Sequence, residues 1–261
     1  MPNVPLPSAP ADAALQRLNF AFQPYVDTAL RRVMGYEALL RGPGGESARQ
    51  MLAQVPREGL HAFDVGCRND AIRSGRRLGL EQGTQSLNIN MLPHAMGEHG
   101  KWLMSTLAVA ATQGFPTGKL VLEITEAEEV SDPASLRDLF SDYREFGFRT
   151  AIDDLGAGWS QLRLLADFLP DFVKLDLALV EGIDQDPRRH SLVRALKRAC
   201  DDIGCEIIAE GVEREEESAC LSDLGIFLQQ GYLFARPALE CLITEPHFPS
   251  EMKRGRQDWD D

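Results

Sequence analysis

Leu120-Val121-Leu122-Glu123-Ile124 is an apolar run broken at one position by a carboxylate. A strand this apolar is buried on both faces, as in a parallel sheet covered by helices. A charge inside such a strand is unfavourable unless it serves the open mouth of a barrel. The same pattern recurs along the chain. Glu37 sits in Tyr36-Glu37-Ala38-Leu39-Leu40-Arg41, and Asn90 ends Leu87-Asn88-Ile89-Asn90. Asp153 and Asp154 close a fifth strand, Lys174 and Asp176 share one face of a sixth by period two, Glu210 ends a seventh, and Gln230 lies in an eighth.

Working outward, short apolar or β-branched runs at 18–24, 35–40, 86–90, 120–124, 150–153, 172–176, 206–210 and 227–234 predict eight strands. Helical periodicity at 63–80, 101–113, 133–146, 188–203 and 213–224 fills the intervals, with Asp132 as an N-cap and Gly225 as a stop. Alternating strands and helices in this number predict an α/β fold, a modified TIM-type (β/α)8 barrel. The first two strands are separated by only about ten residues, short for a parallel crossover, so one antiparallel strand is expected near the N-terminus. The barrel is expected over 17–246, with a disordered tail at 1–16 and a polar tail at 247–261.

Composition narrows the function. A chain of 261 residues with 44% hydrophobic and 26% charged residues suits one globular core. A formal net charge of −13 opposes a long nucleic-acid backbone, so no polymeric nucleic acid is expected, and any phosphate must be met by cations placed locally. No stretch has the length of a membrane span or the layout of a signal peptide, which predicts a cytoplasmic protein without membrane insertion. Cys67, Cys200, Cys205, Cys220 and Cys241 are odd in number and form no CxxC pair, so buried reduced thiols are expected. His61, His94, His99, His190 and His247 show no metal spacing.

Each polar residue has a plainer explanation. Asp153-Asp154 before Leu155-Gly156-Ala157-Gly158 reads equally as a turn and cap, and Lys174 with Asp176 as a surface ion pair. Glu210-Gly211-Val212-Glu213 reads as a cap, and the run from Glu213 to Glu217 as a solvated first turn matched to the helix dipole. Six or seven polar residues at one end of successive strands are not what caps and solvated faces produce. Oxygen ligands suit hard cations such as Mg2+ or Mn2+, and a pair of them about 3.5–4 Å apart clamps a phosphoryl transfer.

The ordered set Glu37-Ala38-Leu39 with Arg41, Asn90, Leu122-Glu123-Ile124-Thr125-Glu126, Asp153-Asp154, Lys174-Leu175-Asp176, Glu210-Gly211-Val212-Glu213 and Gln230-Gly231-Tyr232 resembles the EAL domain family, bacterial cyclic di-GMP phosphodiesterases. The resemblance runs from about Leu18 to Pro237, and the Leu-Leu-Ala-Asp-Phe wording at 164–168 is similar to EAL domains coupled to blue-light (BLUF) sensors. Fewer than twenty residues precede the first strand, so regulation is expected from a protein partner, from assembly or from substrate supply.

The resemblance implies that Glu37, Asn90, Glu123 and Asp153 hold one Mg2+ or Mn2+ ion and that Asp153 bridges to a second held by Asp154 and Glu210. Lys174, with Gln230 nearby, would orient the attacking water. Gln23, Leu39, Arg41 and Asp176 would contact substrate, Arg41 through its phosphate-matching fork. Glu126 would steady the loop at 154–160 that leads to a homodimer contact, and Glu213 would act behind the ligands. Leu155, Ala157 and Trp159 stand where Phe, Thr and Tyr are common in the family, and Met91-Leu92 replace its Leu-Ser.

Rival readings remain open on the residues alone. An EAL-like barrel without turnover would be a cyclic di-GMP receptor or a protein-docking module. A retaining glycosidase would use Glu123 and Glu210, and a Schiff-base aldolase would use Lys174.

Overall fold

The computed structural model describes residues 18–92, 99–124, 133–156, 165–166 and 168–249. Nine strands form one sheet in the order β2-β3-β4-β5-β6-β7-β8-β1-β9, and the additional β1–β2 pairing closes it into a barrel. The strands are β1 (Asn19–Asp27), β2 (Arg32–Arg41), β3 (Ser86–Met91), β4 (Leu120–Ile124), β5 (Arg149–Leu155), β6 (Phe172–Leu175), β7 (Glu206–Ala209), β8 (Leu228–Gln230) and β9 (Ala238–Leu239). The helices are α1 (Ala48–Leu52), α2 (Leu60–Arg77), α3 (His99–Gln113), α4 (Pro133–Glu145), α5 (Leu177–Val180), α6 (Pro187–Ile203) and α7 (Glu215–Asp223). Among the described residues, no helix is long and apolar enough to cross a membrane.

The antiparallel expectation holds, with a tighter connection than the sequence suggests. β1 and β2 both extend beyond their predicted ends and are joined through residues 28–31, too few for any crossover. Pro24 hid the second half of β1 from the sequence reading, because proline argues against a strand interior. It is tolerated between the stretches of β1 that pair with β9 (Ala21, Phe22) and with β8 (Tyr25 to Asp27), in a gap on that edge of the strand. β9 is the unforeseen ninth strand. It continues the edge where the three-residue β8 stops.

Side-chain alternation divides the core in two. Outward residues such as Leu120, Leu122, Val173, Leu175 and Ile207 pack under the helices in the large cluster. A separate small cluster of Tyr25, Val121, Ala151, Phe172, Ile208 and Leu228 floors the barrel interior. Two positions from each of these, on the same face, stands a polar residue, namely Gln23, Glu123, Asp153, Lys174, Glu210 and Gln230. The interior is therefore apolar below and polar at the mouth.

Buried polar groups tie helices to the strand ends. Arg68 of α2, 1% exposed, pairs with Asp64 at 3.0 Å and donates to Tyr143 Oη of α4 at 2.7 Å, while Asp64 accepts the Leu92 N–H at 3.1 Å just beyond β3. At the other end Glu240 accepts from the Phe20 N–H and from Ser74, and pairs with Arg77. Past β9 the chain stays packed through His247, whose N–H donates to Phe234, and through Phe248 and Pro249, whose carbonyls accept from Arg31.

Gly231, directly after β8, has no room for a side chain, since an added Cβ would lie 2.0 Å from the Val212 carbonyl oxygen and 2.4 Å from its nitrogen. Backbone cannot yield as a flexible side chain does. Gly231→Ala is expected to destabilise the fold by about 2 kcal/mol or more, whereas Gly118→Ala, whose nearest neighbour is 3.7 Å away, is expected to stay within about 1 kcal/mol of the parent. Thermal unfolding of the two variants checks this.

Candidate metal centre

Lys174 of β6 is the centre of the mouth. Its Nζ lies 2.7 Å from Glu210 Oε1, 2.9 Å from Glu123 Oε2, 3.2 Å from Asp153 Oδ1 and 3.3 Å from Glu37 Oε2. These partners come from β2, β4, β5 and the end of β7, so four strands aim one carboxylate each at one ammonium. Asn90 Nδ2 donates to Glu37 Oε1 at 2.9 Å and Gln230 Nε2 donates to Glu37 Oε2 at 2.8 Å. Gln23, paired with Glu37 across the hairpin, accepts from Gln230.

Asp154 joins this group by a break in the alternation rule. Neighbouring strand residues point to opposite faces, so Asp153 and Asp154 cannot both face inward on regular backbone. At Asp154 φ is +58°, the left-handed region that Asp tolerates better than most residues, and the β5–β6 register shifts between Ile152 and Leu155. The bend is held where the Asp154 N–H donates to Asp153 Oδ1 at 2.9 Å.

Five carboxylates around one lysine leave excess negative charge, and the titration behaviour shows how it is absorbed. Burial pushes Glu123 up to about 8, with Lys174 opposing and Glu37 and Asp153 adding to the rise. Burial likewise raises Glu210 well above the usual carboxylate range, and burial with the neighbouring Asp153 lifts Asp154 to about 6. Burial would raise Glu37 too, but the Lys174 charge and hydrogen bonds from Gln230, Asn90 and Lys174 outweigh it and hold Glu37 below the usual range. Burial disfavours charge on Lys174, yet Asp153, Glu123, Glu210 and Glu37 together raise it well above an ordinary lysine.

The residues present fit divalent cations. Glu37, Glu123 and Asp153 bring carboxylate oxygens within 4.8 Å of one another, as do Asp153, Asp154 and Glu210, so Asp153 is common to both groups. The donors are all oxygen, suited to hard ions. Gln230 Oε1 is buried without a hydrogen-bond partner among the described residues, an acceptor that an incoming ligand would satisfy. The rival chemistries do not fit. A Schiff-base lysine needs a depressed pKa and Lys174 has the reverse. Glu123 is fully buried and cannot reach a sugar.

The remaining expected residues lie around this centre. A cavity of about 450 Å³ at the mouth is lined by Gln23, Glu37, Asp176, Glu210, Glu213, Gln230 and Tyr232, among others. Asp176 also caps α5, accepting the Ala178 N–H at 2.8 Å, and so is not a surface partner of Lys174. Leu39, Arg41 and Asn90 line a neighbouring, mostly apolar cavity of about 270 Å³, with Arg41 donating to the Leu40 carbonyl. Glu126 and the loop residues from 157 onward to 164 lie outside the described residues, as does Asp132.

Two buried groups escaped the sequence reading. Asn88 Nδ2 donates to Glu123 Oε1 at 2.7 Å, and only its place two residues before Asn90 on the same face signals it. Glu217, read as part of a solvated turn, is 2% exposed and accepts the N–H groups of Gly182, Glu213 and Arg214, pinning the loop after β7. It is buried because α7 begins at Glu215, which turns Glu217 toward the core. The cysteines are free as expected, but only Cys200 and Cys205 are buried.

Fold and site define the class: a closed α/β barrel carrying a cluster of carboxylates around a lysine at the mouth ends of its strands. The chain belongs to the EAL domain family, whose sequence model matches residues 9–237. Among solved structures it is similar to a standalone versatile EAL protein from Vibrio cholerae O395 in a c-di-GMP bound form, at 39% identity and a TM-score of 0.82, over 87% of this chain and 95% of that one. It is also similar to Klebsiella pneumoniae BlrP1 in a manganese/cy-diGMP complex, at 36% identity and a TM-score of 0.78, over 90% of this chain and 58% of that one. Cyclic di-GMP phosphodiesterase RocR of Pseudomonas aeruginosa is 33% identical over 172 residues, 65% of this chain and 42% of RocR. The blue light- and temperature-regulated antirepressor BluF of Escherichia coli K12 is 27% identical over 221 residues, 85% of this chain and 54% of BluF. The chain spans about half the length of these curated relatives.

The raised carboxylates set a pH dependence. Glu123 keeps its proton in the folded, metal-free protein up to about 8 but loses it near 4.5 when unfolded. Between those values the folded state binds more protons, so its stability is full below the unfolded value and falls as pH rises. The melting temperature of metal-free protein is expected to decline from about pH 5 to about pH 8. Glu123→Gln, which cannot titrate, is expected to flatten the decline, and saturating Mn2+ to reduce it by holding the carboxylates ionised.

Proposed function

We propose that this EAL domain hydrolyses cyclic di-GMP to linear pGpG, using Mg2+ or Mn2+ held at the barrel mouth. The observation that carries the reading is the pair of carboxylate groups sharing Asp153 around Lys174, with no expected ligand missing from the sequence. Glu37, Asn90, Glu123 and Asp153 would hold one cation, and Asp153, Asp154 and Glu210 the other. When bound, the cations supply Lewis-acid polarisation and neutralise phosphate charge that a protein of −13 otherwise repels.

The chain's own groups do the rest. One water is consumed, its oxygen bonding to phosphorus in line as the bond to the ribose 3′-oxygen breaks and that oxygen takes a proton. Lys174 Nζ, set among the carboxylates that would hold the cations, would donate to and orient this water, and Gln230 holds Glu37 in place with its amide. Gln23 and Asp176 on the cavity wall, with Leu39 and Arg41 beside it, would position the nucleotide, the Arg41 fork matching phosphate oxygens. Glu213 would support the Glu210 loop, and Glu126 the loop after β5. Acting on a nucleotide second messenger, the domain would work in the bacterial cytoplasm. A homodimer and a regulatory protein partner follow the family pattern.

Glu37→Ala, Asp153→Ala and Lys174→Ala are each expected to cut turnover at least about 100-fold with the barrel still folded. Incubation with cyclic di-GMP and Mg2+ or Mn2+, with product chromatography and a chelator control, checks this. Turnover retained in all three variants, or full activity in excess chelator, overturns the reading. Substrate that binds but stays intact makes the domain a receptor instead.

A further inference from the structure

Beneath the carboxylate cluster, four side chains stand in single file across the barrel interior. The Tyr25 hydroxyl lies 2.5 Å from Ser86 Oγ, Ser86 Oγ donates to Asn88 Oδ1 at 3.2 Å, and Asn88 Nδ2 donates to Glu123 Oε1 at 2.7 Å. All four residues are at most 2% exposed. Ser86 has one hydroxyl proton and gives it to Asn88, so it accepts from Tyr25, and the Asn88 amide is left with its N–H toward Glu123.

Space for this file is built into the fold. Gly35 pairs with both Tyr25 and Ser86, and an added Cβ there would lie 2.3 Å from Ser86 Oγ and 2.5 Å from the Tyr25 ring. The consequence falls on Glu123. One oxygen is tied to Asn88, so the other, Oε2, is the one turned to Lys174, whose Nζ also meets Glu37 and Asp153. Without the amide, rotation about the last side-chain bond would exchange the two oxygens, since that torsion is broad.

We infer that Asn88, oriented by Ser86 and Tyr25, is a positioning residue that presents a single oxygen of Glu123 to a divalent cation held among Glu37, Glu123 and Asp153. This rests on the metal-site reading above. Partners of this kind behind a ligand typically change metal affinity about 10- to 100-fold when removed. If the file served only to satisfy buried groups, its loss would lower the melting temperature of metal-free protein and leave cation affinity alone.

The test is a titration of the purified full chain with Mn2+, followed by the paramagnetic resonance of the free ion, alongside melting of the metal-free forms. Asn88→Leu is expected to weaken Mn2+ binding at least about tenfold, and Ser86→Ala to weaken it by a smaller factor because the amide is then free to turn over. Tyr25→Phe and Ser86→Ala, the gentler changes, carry the test should Asn88→Leu not fold. Unchanged Mn2+ affinity in the folded variants overturns the inference even where their melting temperatures drop. No Mn2+ binding by the unsubstituted chain overturns the metal reading itself, and this inference with it.

Discussion

One ammonium, Lys174 Nζ, stands within 3.3 Å of four carboxylates inside a closed barrel, and the mouth of the molecule is organised around it. Neither sign of charge is stable there alone. Removing one partner from a buried ion pair typically costs about 3–5 kcal/mol, and here every carboxylate would be left facing the others. The lysine makes the cluster possible in the absence of metal, and the excess of carboxylates keeps the lysine charged. That excess is also what an incoming cation would neutralise, so the feature that strains the cluster without metal is the one that would draw a cation to it.

The barrel must close for this cluster to exist, and closure depends on the reversed first strand. A parallel strand in its place would need a crossover between β1 and β2, where only residues 28–31 are available. Running antiparallel, β1 brings Gln23 opposite Glu37 and lays Tyr25 beside Gln230 in the register. The same strand thus supplies a polar wall at the mouth and an aromatic floor below it, two residues apart. Because β8 pairs only with Tyr25 to Asp27, the far half of β1 depends on β9 and on the Glu240 contacts for its cover.

The fold class and most of the site are legible in the sequence because they break a rule. Glu123 inside Leu120–Ile124 and Lys174 inside Phe172–Leu175 are charges where a parallel strand should be apolar, so each announces an interior mouth position. What stays hidden obeys no periodic rule or imitates a commoner one. β9 is two residues long and carries no period. Glu217 reads as one acid among four in a helix start, and only the onset of α7 at Glu215 decides that it faces inward. Asn88 reads as a small polar residue beside the more conspicuous Asn90, and its partner Glu123 lies 35 positions away on the next strand. Long-range register, which one sequence does not carry, is what gives it meaning.

The two carboxylate groups are also unequal in construction, which bears on how each would take a cation. Glu37 and Glu123 are borne on strands in regular register and are further fixed by the amides of Asn90, Gln230 and Asn88, while Asp153 is shared by both groups. Asp154, by contrast, reaches the second group only through a left-handed residue at a register shift, at the start of the connection that leads away from β5. Backbone in that region is held by its surroundings rather than by its own preference. The first group therefore rests on strands of the closed barrel, and the second depends also on the left-handed backbone at Asp154.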